Sequence, residues 1–178
     1  AVTLATRTNA GTTTVYAYFV PTDGTNYNSL GSSSNDHTSA SVVISKATPT
    51  MTLTGASKTY DGNTYYVSAK ASVAGTVYYG TTSATSGMTR SKGVSANTAT
   101  NLTSITNAGT LTVYAYFVPT DGPNYNSLGS SSNDHASKSI TISKATGYLT
   151  ATTTNRTYNG SAQNIGTILT NSGSYYFG

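Results

Sequence analysis

Apolar and polar residues alternate along this chain in short runs, and no window carries an apolar period of about 3.6 residues. The strongest run is residues 111–118. Leu111, Val113, Ala115 and Phe117 fall on one face; Thr112, Tyr114, Tyr116 and Val118 fall on the other. Successive side chains of a strand point to opposite sides, so the first set is expected in a core. Residues 50–54, 66–71, 75–79, 102–105 and 137–143 predict further strands, the last with Ile140 and Ile142 facing inward. Tyr60-Asp61-Gly62-Asn63 predicts a hairpin, because Asp-Gly supplies the positive φ angles of a tight turn. Asn107-Ala108-Gly109 predicts another turn. Residues 81–98 read as loop with one or two weak edge strands, anchored by Met88 and Val94. A long polar excursion follows Pro119-Thr120-Asp121-Gly122 and runs through His135. Roughly seven strands, with turns about every 8–12 residues, predict an all-β sandwich.

The pattern recurs. Residues 8–37 return as residues 106–135, differing only at Thr13 against Leu111 and Thr25 against Pro123. The match continues more loosely, with Ile44-Ser45-Lys46-Ala47-Thr48 returning as Ile142-Ser143-Lys144-Ala145-Thr146 and Tyr60 as Tyr158. The offset is 98 residues throughout, enough for one modest core. Its phase predicts a complete unit at residues 47–144. Residues 1–46 are then the C-terminal half of a preceding unit, and residues 145–178 the N-terminal half of a following one. Half a sandwich exposes unpaired edges and apolar faces. Head-to-tail completion between chains by strand complementation is therefore expected, or continuity within one longer chain.

Composition narrows the function classes. Ser and Thr supply 61 of 178 residues, Glu is absent, and only 8% of residues are charged. The net charge of +4 is spread thinly, with no basic run, so nucleic acid is not an expected partner. There is no Cys and hence no disulfide. The Ser/Thr-rich, charge-poor surface points to an extracellular or cell-surface setting. Nothing in residues 1–178 reads as a signal peptide, sorting motif or membrane span, so export signals are expected outside this segment.

Six motifs in order suggest a family: Ser-Lys-Ala-Thr-Pro (45–49), Lys-Thr-Tyr-Asp-Gly (58–62), Gly-Thr-Val-Tyr-Tyr (75–79), Thr-Asn-Ala-Gly-Thr (106–110), Val-Tyr-Ala-Tyr (113–116) and Asn-Tyr-Asn-Ser (124–127). With the later variant Arg156-Thr157-Tyr158-Asn159-Gly160-Ser161-Ala162-Gln163, the chain resembles tandem bacterial Ig-like repeats, the YDG/MBG-type modules of large surface, secreted or filament proteins. That resemblance implies immunoglobulin-like sandwiches serving as stalks or spacers, without enzymatic activity. Related modules often carry Tyr two residues after the Ala-Gly pair, where Thr13 and Leu111 stand here.

Candidate sites are few. Asp23 with Asn26, and Asp121 with Asn124, are weak calcium candidates. A calcium ion wants about six to eight oxygens, and each loop offers one carboxylate, so a plain turn is the stronger reading. His37 and His135 stand one per repeat without Cys, which excludes a closed zinc site within one unit. No spacing supports a Ser-His-Asp arrangement, and no catalytic residue or cofactor is expected. Lys46, Lys58 and Lys144 lack the Glu that isopeptide linkage usually needs. Asn101-Leu102-Thr103, Asn155-Arg156-Thr157 and Asn159-Gly160-Ser161 match glycosylation sequons, as a Thr- and Asn-rich chain does by chance. Tyr16, Tyr18, Tyr114 and Tyr116 lie opposite the core face; the stronger reading is a second sandwich face partly covered by a neighbour, and the rival is a flat aromatic strip for sugar or protein contact.

The expected role is structural: a segment of an extracellular bacterial protein, acting as stalk, spacer or filament shaft. Its expected partners are neighbouring copies of itself, with no membrane insertion in this segment. The rival is an adhesin module that binds host glycan or protein through loops or the Tyr strip. A weaker rival is an Ig-like appendage of a phage virion.

Overall fold

A computed structural model describes residues 5–83, 92–164, 166–170, 173, 174 and 176. Regular structure among them is strand alone, as Thr, Tyr and Val dominate the segments that pair. β1 (Gly11–Ala17) and β2 (Thr38–Ile44) form an antiparallel two-stranded sheet. Eight strands follow: β3 (Met51–Thr54), β4 (Lys58–Thr59), β5 (Tyr65–Ala71), β6 (Gly75–Gly80), β7 (Lys92–Ser95), β8 (Thr100–Ile105), β9 (Gly109–Pro119) and β10 (Ala136–Ser143). They make a five-stranded sheet of order β4-β10-β9-β6-β7 and a three-stranded sheet of order β3-β5-β8. β11 (Leu149–Thr153) and β12 (Gly166–Thr170) form a final antiparallel pair.

The two central sheets pack face to face in a sandwich-like arrangement. Val67, Ala69 and Ala71 enter the core from β5, Val77 from β6, Val113, Ala115 and Phe117 from β9, and Ile140 from β10. Leu111 packs partly against them. Burying a side chain such as Phe117 or Ile140 stabilises by about 1.5–3 kcal/mol. Small and large residues also interlock between neighbouring strands β6 and β9 of the larger sheet. A Cβ at Gly75 would press on the Phe117 ring and the Val118 carbonyl, so the ring fits only over a bare backbone.

Several local expectations need correction. Asp61-Gly62 does not close a hairpin. β4 runs parallel to β10, whereas β5 pairs with β3 and β8, so the turn carries the chain from one sheet to the other. Of the pair, only Gly62 takes a positive φ, at 81°. The hairpin turn would need both central residues there. Asp61 instead accepts the Asn63 backbone N–H at 2.9 Å, an Asx turn that redirects the chain without doubling it back. Residues 81–98 need no such correction: β7 is an edge strand of the kind expected there, with Val94 packed on the core. Met88 lies outside the described residues. The polar excursion has an apolar anchor: Leu128 exchanges two 2.9 Å backbone hydrogen bonds with Phe117 and is itself buried.

The β1–β2 register, Gly11↔Ile44 to Ala17↔Thr38, sits 98 residues before that of β9–β10, Gly109↔Ile142 to Ala115↔Ala136. The bridges Phe19↔Leu30 and Ser32↔Asn35 likewise precede Phe117↔Leu128 and Ser130↔Asn133. The environments differ. Phe117 is 0% exposed between two sheets, and Phe19 is 57% exposed.

Candidate functional site

The four strip tyrosines fall in different surroundings. Tyr16 and Tyr18 are exposed, while Tyr114 is half-buried. Tyr116 is only 8% exposed, which fits a second sandwich face covered by a neighbour and removes it from the alternative contact strip. β6 lies beside β9 with Tyr78 opposite Tyr116, and the two rings stack at 5.0 Å with 12° between planes. The loop after Leu128 crosses the same side chain, since a Cβ at Gly129 would stand 3.0 Å from the Tyr116 Cβ. Gly31 makes the same approach to Tyr18. The exposure of Tyr18 thus comes from the lack of a β6-like neighbour to β1 among the described residues.

The two Asp-Asn loops close on themselves. Asn26 donates from Nδ2 to Asp23 Oδ2 at 2.7 Å, and the backbone N–H groups of Thr25 and Asn26 reach Asp23 Oδ1 at 3.2 and 3.1 Å. These donors, the Asn26 side chain first, hold the Asp23 carboxyl below its ordinary pKa. Asn124 donates from Nδ2 to the Asp121 carboxylate at 2.9 and 3.2 Å. Amide hydrogens, not a convergence of oxygens, face each carboxylate, which is the wrong donor set for calcium. Among the described residues there is no group of three or more His, Cys, Asp or Glu that could hold a metal.

The Asp121 loop is where two repeats meet. Asn124 Oδ1 accepts the Ala10 backbone N–H at 2.8 Å, and its Nδ2 donates to Asn9 Oδ1 at 3.2 Å. The Ala10 N–H is purely a donor, so it fixes which way the amide points. Lys46 Nζ donates to the Gly122 carbonyl at 2.6 Å. That partner is a carbonyl rather than an acid, and offers nothing for an isopeptide link. Ala47 donates to the Asn124 carbonyl and accepts from the Asn126 N–H, both at 2.9 Å, and Asn126 Nδ2 reaches Thr48 Oγ1 at 3.1 Å. A recess of about 310 Å³ between Asn9, Ile44, Asn124 and Tyr125 is the seam of this joint. The repeat makes both loops visible in the sequence, but says nothing of what either touches. His37 and His135 are exposed, and their backbone N–H groups close the loops onto the Ala17 and Ala115 carbonyls at 3.0 and 2.9 Å.

A second polar device braces the turn between sheets. Tyr65 donates its hydroxyl to Asp61 Oδ2 at 2.5 Å. The bond holds the Asp61 carboxyl below, and the Tyr65 hydroxyl above, its ordinary pKa. In the next copy Asn159 and Gln163 occupy these places, joined by a 2.9 Å bond from Nε2 to Oδ1. A depressed carboxyl pKa stabilises the fold above the ordinary carboxylate range and is lost as pH falls through the depressed value. A raised hydroxyl pKa stabilises below the ordinary tyrosine value and is lost as pH rises through the raised one. Stability should therefore be level between about pH 4 and 10 and fall at both ends. Denaturant titrations across pH should show both limbs flattened by Asp61→Asn; limbs unchanged in that variant would assign them elsewhere.

No family model, curated protein or solved structure matches this chain. Among the described residues no helix is long and apolar enough to cross a membrane.

Proposed function

We propose that this chain is a structural segment of an extracellular bacterial protein, built from tandem Ig-like modules and acting as a stalk, spacer or filament shaft. It carries no chemistry of its own. The observation behind this reading is the return, at a fixed offset of 98 residues, of the same strand register, bridges and loop bonds. A repeated unit that contacts its neighbours sets length by copy number. The exposed Phe19 face of the first hairpin supports completion by further module sequence, either along the chain or head to tail from another copy.

The test is a series of chains lengthened by whole 98-residue units. Contour length in electron micrographs should grow by equal steps, with no binding to arrayed glycans. Gel filtration of the same samples over rising concentration separates the two routes to completion. Strand complementation predicts association, and a strict monomer counts against it. Unchanged contour length, or glycan binding that survives unit deletion, would replace the spacer with the adhesin reading.

A further inference from the structure

The geometry points to a copy-to-copy latch, with the loop Asp-Gly-x-Asn-Tyr-Asn as its socket and a second copy of this repeat as its occupant. It deepens the structural reading and rests on it only in that copies follow one another. The engaged socket is Asp121 to Asn126. It grips two things at once: the Asn9-Ala10 turn of the preceding repeat, through Asn124, and the connecting Lys46-Ala47-Thr48 segment, through Gly122, Asn124 and Asn126. Two separate attachments fix an angle, where one would leave a swivel.

Every copy carries both halves. The plug recurs unchanged as Asn107-Ala108 and Lys144-Ala145-Thr146, and the socket recurs as Asp23-Gly24-Thr25-Asn26-Tyr27-Asn28. The first socket is already shaped. Its Asn26 is held by Asp23 as Asn124 is by Asp121, and the Tyr27 N–H reaches the Asp23 carbonyl at 3.1 Å, as Tyr125 reaches that of Asp121 at 3.0 Å. What differs is cover. Tyr27 is 67% exposed and Asn26 is exposed, whereas Tyr125 and Asn124 are half-buried under the plug. A preformed socket loses little ordering entropy on docking. Pro123, where the first socket has Thr25, fixes φ in the engaged loop and stiffens it further.

The chain has no Cys, so labels can be placed at will. With Ser39→Cys and Ser137→Cys, equivalent exposed positions in the two repeats, spin-label distances read the joint directly. The 178-residue chain should give one narrow distance. Asn124→Ala should lose it to a broad distribution while the thermal unfolding of the central sandwich stays put. In a chain with residues 1–98 placed ahead of residue 1, Asn26→Ala at the newly internal socket should do the same at the new joint. A broad distribution in the unsubstituted chain, or a narrow one that survives Asn124→Ala, would overturn the latch. Contour length that still scales with copy number would then leave the spacer reading standing. Narrow, Asn124-dependent joints in a chain that binds glycan would do the reverse.

Discussion

Phe117→Ala is expected to cost about 3–5 kcal/mol, a large fraction of the roughly 5–15 kcal/mol that holds a domain folded. The ring is wholly enclosed, seated on the bare backbone of Gly75 and tied through its own backbone to Leu128. Neither neighbour can move in to fill the space, since one has no side chain and the other is fixed by paired hydrogen bonds. Phe19→Ala, at the matching position of the first copy, should change the urea midpoint little, because that ring is largely in water. The two substitutions act on near-identical local sequence and differ in what packs above them. Equal losses would mean that the copies are equally packed, contrary to the burial described.

The second large effect is expected at Gly129. Its φ of 75° lies in the left-handed region, which costs an ordinary residue about 1–2 kcal/mol. Space adds to that. A Cβ would sit 2.5 Å from the Asn133 carbonyl oxygen, 2.8 Å from the His135 nitrogen and 3.0 Å from the Tyr116 Cβ. Two of these are backbone atoms of the loop itself, so Gly129→Ala must open the loop and loosen Leu128 from Phe117. Gly62→Ala is the control, with a similar φ of 81° and nothing within 4 Å of the added carbon. It should show the conformational cost alone. Melting temperatures should fall clearly further for Gly129→Ala, together with lost hydrogen-exchange protection at the Leu128 amide. Matching losses at the two sites would remove the steric argument.

The inward face of β9 was legible in the sequence because strand geometry is local: alternate residues share a side whatever lies beyond. The destination of the Asp61-Gly62 turn was not. Turn residues report how the backbone bends, while the pairing of β4 with β10 depends on residues more than 80 positions away. The tyrosines make the same point. Tyr18 and Tyr116 sit in the same local sequence, yet β6 covers only the second. At the third copy the offset itself slips. Met51 pairs with Ala71, but Leu149 pairs with Thr170, one residue beyond the 98-residue expectation. That shift places Ile168 opposite Ala151, keeping apolar side chains on the face shared with Leu149. The joint at Asn124 escaped because it links residues over 100 apart through polar side chains, which leave no trace in hydrophobic periodicity.

The parallel seam between β4 and β10 has a mechanical meaning. Tension applied along the chain enters the central unit at Ala47 and β3 and leaves it from β10; once β3 has parted from β5, the load falls across β4 and β10. Because these strands run the same way, the load slides them past one another. The Lys58↔Ile142 and Thr59↔Ser143 rungs, the Tyr60 N–H on the Ser143 carbonyl at 2.8 Å and the Thr141 N–H on Ser57 Oγ at 2.9 Å must then yield together. The β1–β2 hairpin, with both ends at Gly11 and Ile44, parts one rung at a time under the same load. Rupture under force follows the rate of crossing the unfolding barrier rather than equilibrium stability. The lifetime of the unit under load is therefore set in shear at residues 57–60 and 141–143, along one edge of the larger sheet, whereas its melting point depends on the core as a whole.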